Sequence, residues 1–221
     1  EVSKKIIGQS STYINIIRDE VRTRETTGGN FIVDAIKAKF PQVDVVFHNG
    51  GGIRGDKILP PGNISLLDII SMHPFQDNIV LFELTGSDIK STLERSVSSL
   101  PYSHGGFLQV SGISFIADVS KSPQSLNKNY TSIIKKGNRI SNVLINGSPL
   151  EDNKTYKVAA NSFLINGGNG FLTMKNRSKN IDYPGVTITD VLEEYLKNNS
   201  PVKPAVEDRI QIINTPNITE E

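Results

Sequence analysis

The sequence predicts an α+β protein: a mixed, largely antiparallel sheet with packed helices. Three observations predict it. Segments of period two and of period 3.6 are interleaved without the regular strand–helix alternation of a doubly wound fold. Strand candidates follow one another from about residue 107 onward, which favours antiparallel pairing. The chain has 221 residues, enough to enclose a core, and no stretch forces two domains apart.

In chain order, KKIIG is a short strand and GGNFIVDAIKAKF is a helix. That helix carries Phe31, Ile32, Ala35, Ile36 and Phe40 on one stripe, ends at Pro41, and has Thr26 or Thr27 as its cap. VDVVFHN is a buried strand of β-branched residues. ISLLDIISMHP is a helix opened by Ser65, with Asp68 at the capping-box position, and stopped before Pro74. NIVLFELTG is a strand. SDIKSTLERSVSSL is a helix with Ser87 as its expected cap and Ile89, Leu93 and Val97 as its apolar stripe. FLQVSGISFIADV reads as one long strand kinked at Gly112. RISNVLING, TYKVAANSFL and RIQII are further strands, and TITDVLEEYLKN is a late helix. The polar segment SKSPQSLNKNYTS is expected to be a surface loop. Residues 1–213 are expected to form one domain, with 214–221 a fraying acidic tail.

Composition narrows the function. Lys and Arg total 24 against 23 Asp and Glu, a balance that disfavours nucleic acid or a membrane surface as the main partner. Cysteine is absent, which removes disulfides and thiolate metal sites. No run approaches the roughly 20 apolar residues of a membrane span. The opening EVSKKIIGQS lacks the order of a signal peptide, so a mature or excised fragment is expected. Sequons at Asn63, Asn129, Asn146, Asn153, Asn176 and Asn217 are ascribed to chance in an Asn- and Ser-rich chain.

The familiar catalytic motifs are missing. Histidine occurs at 48, 73 and 104 with no metal-ligand spacing, and DxH, GNHE, GxSxG and the phosphate-loop pattern are absent. No catalytic residue and no metal ligand is assigned, and His48 is read as structural. Binding chemistry is present instead. VRTRE places Arg22 and Arg24 before a helix start, where guanidinium and free N–H groups suit an anion. HNGGGIR follows a strand; its glycines allow close backbone approach, and Arg54 offers a fork for phosphate or carboxylate. NSFLINGGNGF is a second glycine-rich element, and Phe75 and Phe163 lie beside polar amides where a flat base could stack.

Taken together and in this order, VRTRE, HNGGGIR, HPFQD, GGFLQVSG and NSFLINGGNGF resemble the C-terminal domain of the 5′-nucleotidase / UDP-sugar hydrolase family, from about Lys4 to about Ile213. The resemblance implies a nucleotide-binding, substrate-specificity domain. Its partner in cis would be an N-terminal metallophosphoesterase domain holding a divalent metal pair, zinc, manganese or similar, and hinge rotation would bring substrate to those metals. It implies no cofactor in this domain itself, and a periplasmic, secreted or cell-surface location. Residue by residue, Arg22 and Arg54 match the phosphate-holding arginines, Asn49 a pocket asparagine near the base, and Phe75 and Phe163 the rings that sandwich it. Gly51 belongs to the same wall. Asn169 stands where the family commonly has an aspartate for the ribose hydroxyls: an amide keeps an acceptor, adds a donor and removes the charge. Two other readings stay open, a stand-alone nucleotide-binding domain and a domain of an enzyme acting on UDP-sugars or cyclic 2′,3′-nucleotides.

Overall fold

The computed structural model describes residues 4–216. Its centre is a five-stranded sheet, ordered Lys179–Asp182, Ile79–Thr85, Thr155–Asn161, Val45–Asn49, Leu108–Ser111. The two middle strands, Thr155–Asn161 and Val45–Asn49, run parallel, with Val158 opposite Val45 and Ala160 opposite Phe47. The other pairings in this sheet are antiparallel. A four-stranded sheet, ordered Ser148–Pro149, Ile140–Ile145, Ile113–Asp118, Ile210–Ile213, is antiparallel except for its last pair. The mixed, largely antiparallel architecture expected from the sequence is therefore present.

The central sheet is covered on both faces, which explains why VDVVFHN lacks polar alternation: all of Val45–Asn49 is buried. Successive residues still serve opposite sides. Val45, Phe47, Val158 and Ala160 join a cluster with the Gly86–Ser96 helix and the four-stranded sheet. Val46 and Ala159 join a second cluster with the helices Thr27–Lys39, Leu66–Met72 and Ile188–Asn199. One sheet thus divides two cores and touches both.

Helix starts follow the polar signals closely. Thr26 accepts the Gly29 N–H at 3.0 Å, and Ser65 with Asp68 forms the expected capping box. A second box, Thr187 with Asp190, opens the late helix. The third start differs by two residues: Thr85, not Ser87, caps Gly86–Ser96, its hydroxyl accepting from the Asp88 N–H at 3.3 Å. Both hydroxyls lie at the strand end, and only Thr85 has the three-residue spacing to Asp88 that a cap needs.

Other expectations need correction. FLQVSGISFIADV is two strands in two sheets, Leu108–Ser111 and Ile113–Asp118. Gly112 hands the chain across at φ +76°, where an added Cβ would fall 2.0 Å from the Asp44 carbonyl oxygen. TYKVAANSFL leaves the sheet after Asn161, whose side chain accepts the Leu164 N–H and opens a short helix, Ser162–Ile165. SKSPQSLNKNYTS contributes Ser125–Leu126 to a small hairpin with Ile133–Lys135, and its Gln124 is buried. At the start of the expected fraying tail, Asn214 donates to Asp118 Oδ1 at 3.0 Å. Residues 217–221 of that tail, with the Asn217 sequon, and residues 1–3 lie outside the described residues.

Gly112→Ala should cost about 2–4 kcal/mol, combining positive-φ strain with overpacking. Urea unfolding measures it; a midpoint equal to wild type would show that the hand-over between sheets does not need this glycine.

Candidate functional site

A cleft of about 440 Å³ is lined by Arg22, Asn49, Gly51, Gly52, Arg54, Phe75, Asp77, Gly105, Phe163 and Asn169. All seven residues singled out from the sequence line this one cavity. Gly52, Asp77 and Gly105 were missed, although each stands inside a motif already noticed: HNGGGIR, HPFQD and GGFLQVSG. A second cavity of about 450 Å³ lies between the Gly86–Ser96 helix and the Ile133–Gly137 segment; its lining mixes Lys90, Lys136, Asp88 and Glu94 and contains no aromatic ring.

The cleft exists because the two middle strands are parallel. Val45–Asn49 and Thr155–Asn161 end side by side, so both glycine-rich elements leave the same edge of the sheet. Asn161 Nδ2 donates to Asn49 Oδ1 at 2.9 Å, and both amides are buried. Asn49 Nδ2 in turn reaches the Gly105 carbonyl at 3.2 Å and Asn169 Oδ1 at 3.4 Å. A chain of amides therefore fixes the floor of the cleft.

The glycine run brings chain to chain. A Cβ on Gly50 would fall 2.2 Å from the Val21 carbonyl oxygen, so its bareness lets the turn that carries Arg22 lie against the loop. The Gly50 N–H donates to the Phe107 carbonyl at 2.7 Å and the Gly51 N–H to Gly105 at 2.8 Å. These two N–H groups are thus spent within the protein. Gln109, fully buried, holds the same turn from the strand side: Nε2 donates to Val21 O at 3.0 Å and Arg24 O at 2.7 Å, while Oε1 accepts from the Thr26 N–H at 3.2 Å. This is what the glutamine of GGFLQVSG does. Arg24 points elsewhere, pairing with Glu20 at 2.8 Å, and does not line the cleft; nor does the helix start at Thr26.

Two rings stand out of an otherwise buried set of phenylalanines. Phe75 and Phe163 are 39% and 42% exposed, whereas Phe47, Phe107 and Phe171 are fully buried. Each exposed ring is supported from behind. The Arg54 guanidinium lies 5.2 Å from the Phe75 centroid. Phe163 packs over Gly168, where an added Cβ would fall 2.4 Å from its ring. Asn169 itself sits at φ +55°, a conformation asparagine tolerates well, and its carbonyl accepts from Arg95 Nε at 2.8 Å.

The charged groups of the cleft lining are two arginines and one carboxyl. Neither Arg22 nor Arg54 forms a salt bridge among the described residues, and the Nε of each is buried without a hydrogen-bond partner there. Burial lowers the pKa of Arg22 from its ordinary value, and the neighbouring charges of Arg54 and Arg18 add to that. Asp77 is the one carboxyl in the lining, and burial raises its pKa.

Behind this wall His48 and His73 meet edge to face, centroids 5.2 Å apart. His48 is fully buried, and neither ring nitrogen has a hydrogen-bond partner of good geometry among the described residues. His73 Nδ1 lies 3.1 Å from the Phe75 carbonyl oxygen, so the pair underpins one of the two rings. Among the described residues no group of three or more His, Cys, Asp or Glu could hold a metal ion, and no helix is long and apolar enough to cross a membrane.

Residues 6–177 match the family described as 5′-nucleotidase, C-terminal domain. A 5′-nucleotidase of Diplobatis ommata is 33% identical over 95% of the chain, and a trifunctional nucleotide phosphoesterase of Bacillus subtilis is 31% identical over 98%. The chain covers 37% and 14% of those proteins respectively. Among solved structures, a 5′-nucleotidase precursor from Thermus thermophilus superposes with a TM-score of 0.88 at 29% identity, over 97% of this chain and 41% of that one.

The histidine pair gives a pH prediction. Burial holds His73 down from 6.5 to about 4, and holds His48 well below its ordinary value, with His73 adding to the effect. The unfolded chain therefore binds more protons between about pH 4 and 6.5, so stability is complete above that window and falls as pH drops through it, by up to about 1.4 kcal/mol per pH unit for each ring. Urea midpoints should fall from pH 7 to pH 5, and His73→Gln should flatten the slope. Equal slopes in both proteins would assign the pH dependence to other groups.

Proposed function

Since the chain belongs to the 5′-nucleotidase C-terminal domain family, we propose that residues 1–213 are the nucleotide-binding, substrate-specificity part of a longer phosphohydrolase. One observation carries the proposal: two exposed phenylalanines and two arginines that form no salt bridge among the described residues share a single cleft. A nucleotide is the small molecule that needs both, a flat π-face for stacking and an oxyanion for guanidinium. Arg22 and Arg54 hold the phosphate, and its charge relieves their mutual repulsion. Phe75 and Phe163 enclose the base, Asn49 and Gly51 form the adjoining wall, and Asn169 meets the sugar through its amide.

The parent reaction is metal-dependent hydrolysis of a nucleotide phosphoester. The donor set for a metal pair does not exist in the cleft, whose lining offers one carboxyl and no histidine. The metals, zinc, manganese or similar, are assigned to a phosphoesterase domain in cis. This part contributes orientation and charge placement: the base fixes the ligand's position, and the arginines neutralise the phosphate before it meets the metals. A periplasmic, secreted or cell-surface setting fits this reading.

Titration calorimetry with a nucleoside and its 5′-monophosphate tests it on the 221-residue chain. Phe75→Ala and Phe163→Ala should each weaken nucleoside binding by about 5- to 100-fold, from stacking of about 1–3 kcal/mol. Arg54→Ala should weaken the monophosphate far more than the nucleoside. Unchanged curves for all three would place the pocket elsewhere. The chain alone should release no phosphate with added divalent metals; metal-dependent turnover would contradict the assignment of chemistry to another domain.

A further inference from the structure

The carboxyl of Asp77 is the one lining group that phosphate recognition leaves without a role, and its position is defined by the sheet. Strand Ile79–Thr85 pairs antiparallel with Thr155–Asn161 up to Asn161 opposite Ile79. One step further the Ser162 N–H donates to the Asn78 carbonyl at 2.9 Å. Asp77 and Phe163 each lie close to one end of that pairing, Phe163 in the short helix Ser162–Ile165, and both line the cleft. Phe75 lies two residues earlier on the same extension as Asp77. Both rings and the carboxyl are therefore gathered at one end of one ladder, with Asp77 between the rings along the chain path.

The carboxyl is partly buried and forms no salt bridge among the described residues. Burial raises its pKa, and the Ser162 hydroxyl beside it acts in the opposite sense. The Ser162 hydroxyl takes up one acceptor position at most, and a carboxylate offers about four, so this half-buried group has capacity left for a ligand.

On the reading of the cleft as a base sandwich, we infer that Asp77 is a specificity-determining residue that accepts hydrogen bonds from the edge of the stacked base and selects guanine. An ionised carboxylate only accepts, and it binds best where two donors lie side by side. Guanine presents that pair, its ring N1–H and its 2-amino group. Hypoxanthine keeps the ring N–H but has only a C–H at position 2. Adenine and cytosine set one amino donor beside an acceptor nitrogen, whose lone pair opposes the second carboxylate oxygen. Uracil flanks its single N–H with carbonyls on both sides. Stacking alone discriminates weakly among bases, so the edge contact decides preference.

Guanosine and inosine differ by the 2-amino group alone, and calorimetry with both, and with adenosine, on the 221-residue chain is the test. The wild type should bind guanosine about tenfold more tightly than inosine, as expected for one charge-assisted hydrogen bond. Asp77→Asn should bring that ratio within about twofold of one while leaving adenosine at least as well bound. A wild-type ratio near one, or a ratio that survives in Asp77→Asn, overturns the inference. If Asp77→Asn fails to fold, Asp77→Ser supplies the comparison, and the wild-type ratio remains decisive. Phe163→Ala separates the two levels. If it weakens every nucleoside while the guanosine ratio is near one, the sandwich stands and the role of Asp77 falls. If it changes none of them, the sandwich and the inference fall together.

Discussion

The parallel pairing of Val45–Asn49 with Thr155–Asn161 is the constraint on which the site depends. In an antiparallel pair, the loops after these strands would leave opposite edges of the sheet. Parallel, they leave the same edge, and HNGGGIR and NSFLINGGNGF become two walls of one cleft. The buried contact from Asn161 to Asn49 fixes the walls relative to each other where the strands end. Burial of Val45–Asn49 and of residues 158–161 on both faces makes a register slip costly, because it would exchange the residues of the two cores.

Polar groups inside the protein are spent on placing the site. Gln109 satisfies two carbonyls of the turn that presents Arg22, and Arg95 holds the Asn169 carbonyl. Remote from the cleft, Arg209 makes a bidentate pair with Asp34, both contacts at 2.8 Å, joining the last strand to the long helix. The two cleft arginines contrast with these. Among the described residues neither forms a salt bridge, and burial, with the nearby charge of Arg54, lowers the pKa of Arg22. That arrangement raises the free energy of the empty cleft.

Much of this was legible in the sequence for identifiable reasons. The capping box at Ser65 is a local hydrogen-bond pattern, and buried β-branched strands are local composition. The family's motifs brought all seven expected residues to one cavity. What could not be read was non-local. Gly112 marks a transfer between sheets rather than a kink, because the Asp44 carbonyl that crowds it is distant in the chain. Arg22 and Arg24 look equivalent in VRTRE; only the Glu20 partner one helical turn back separates them. The close backbone approach that the glycines of HNGGGIR allow is made to the carbonyls of Phe107 and Gly105, which engage Gly50 and Gly51. Asp77 was passed over because its neighbours Phe75 and Phe163 come together only through the ladder.

The most direct test of the central claim is a crystal structure of this chain with a nucleoside 5′-monophosphate bound. The account predicts the base between Phe75 and Phe163 and the phosphate against Arg22 and Arg54, with the two central strands unmoved. A nucleotide seated in the second cavity, beside Lys90 and Lys136, or a phosphate away from both arginines, would contradict it.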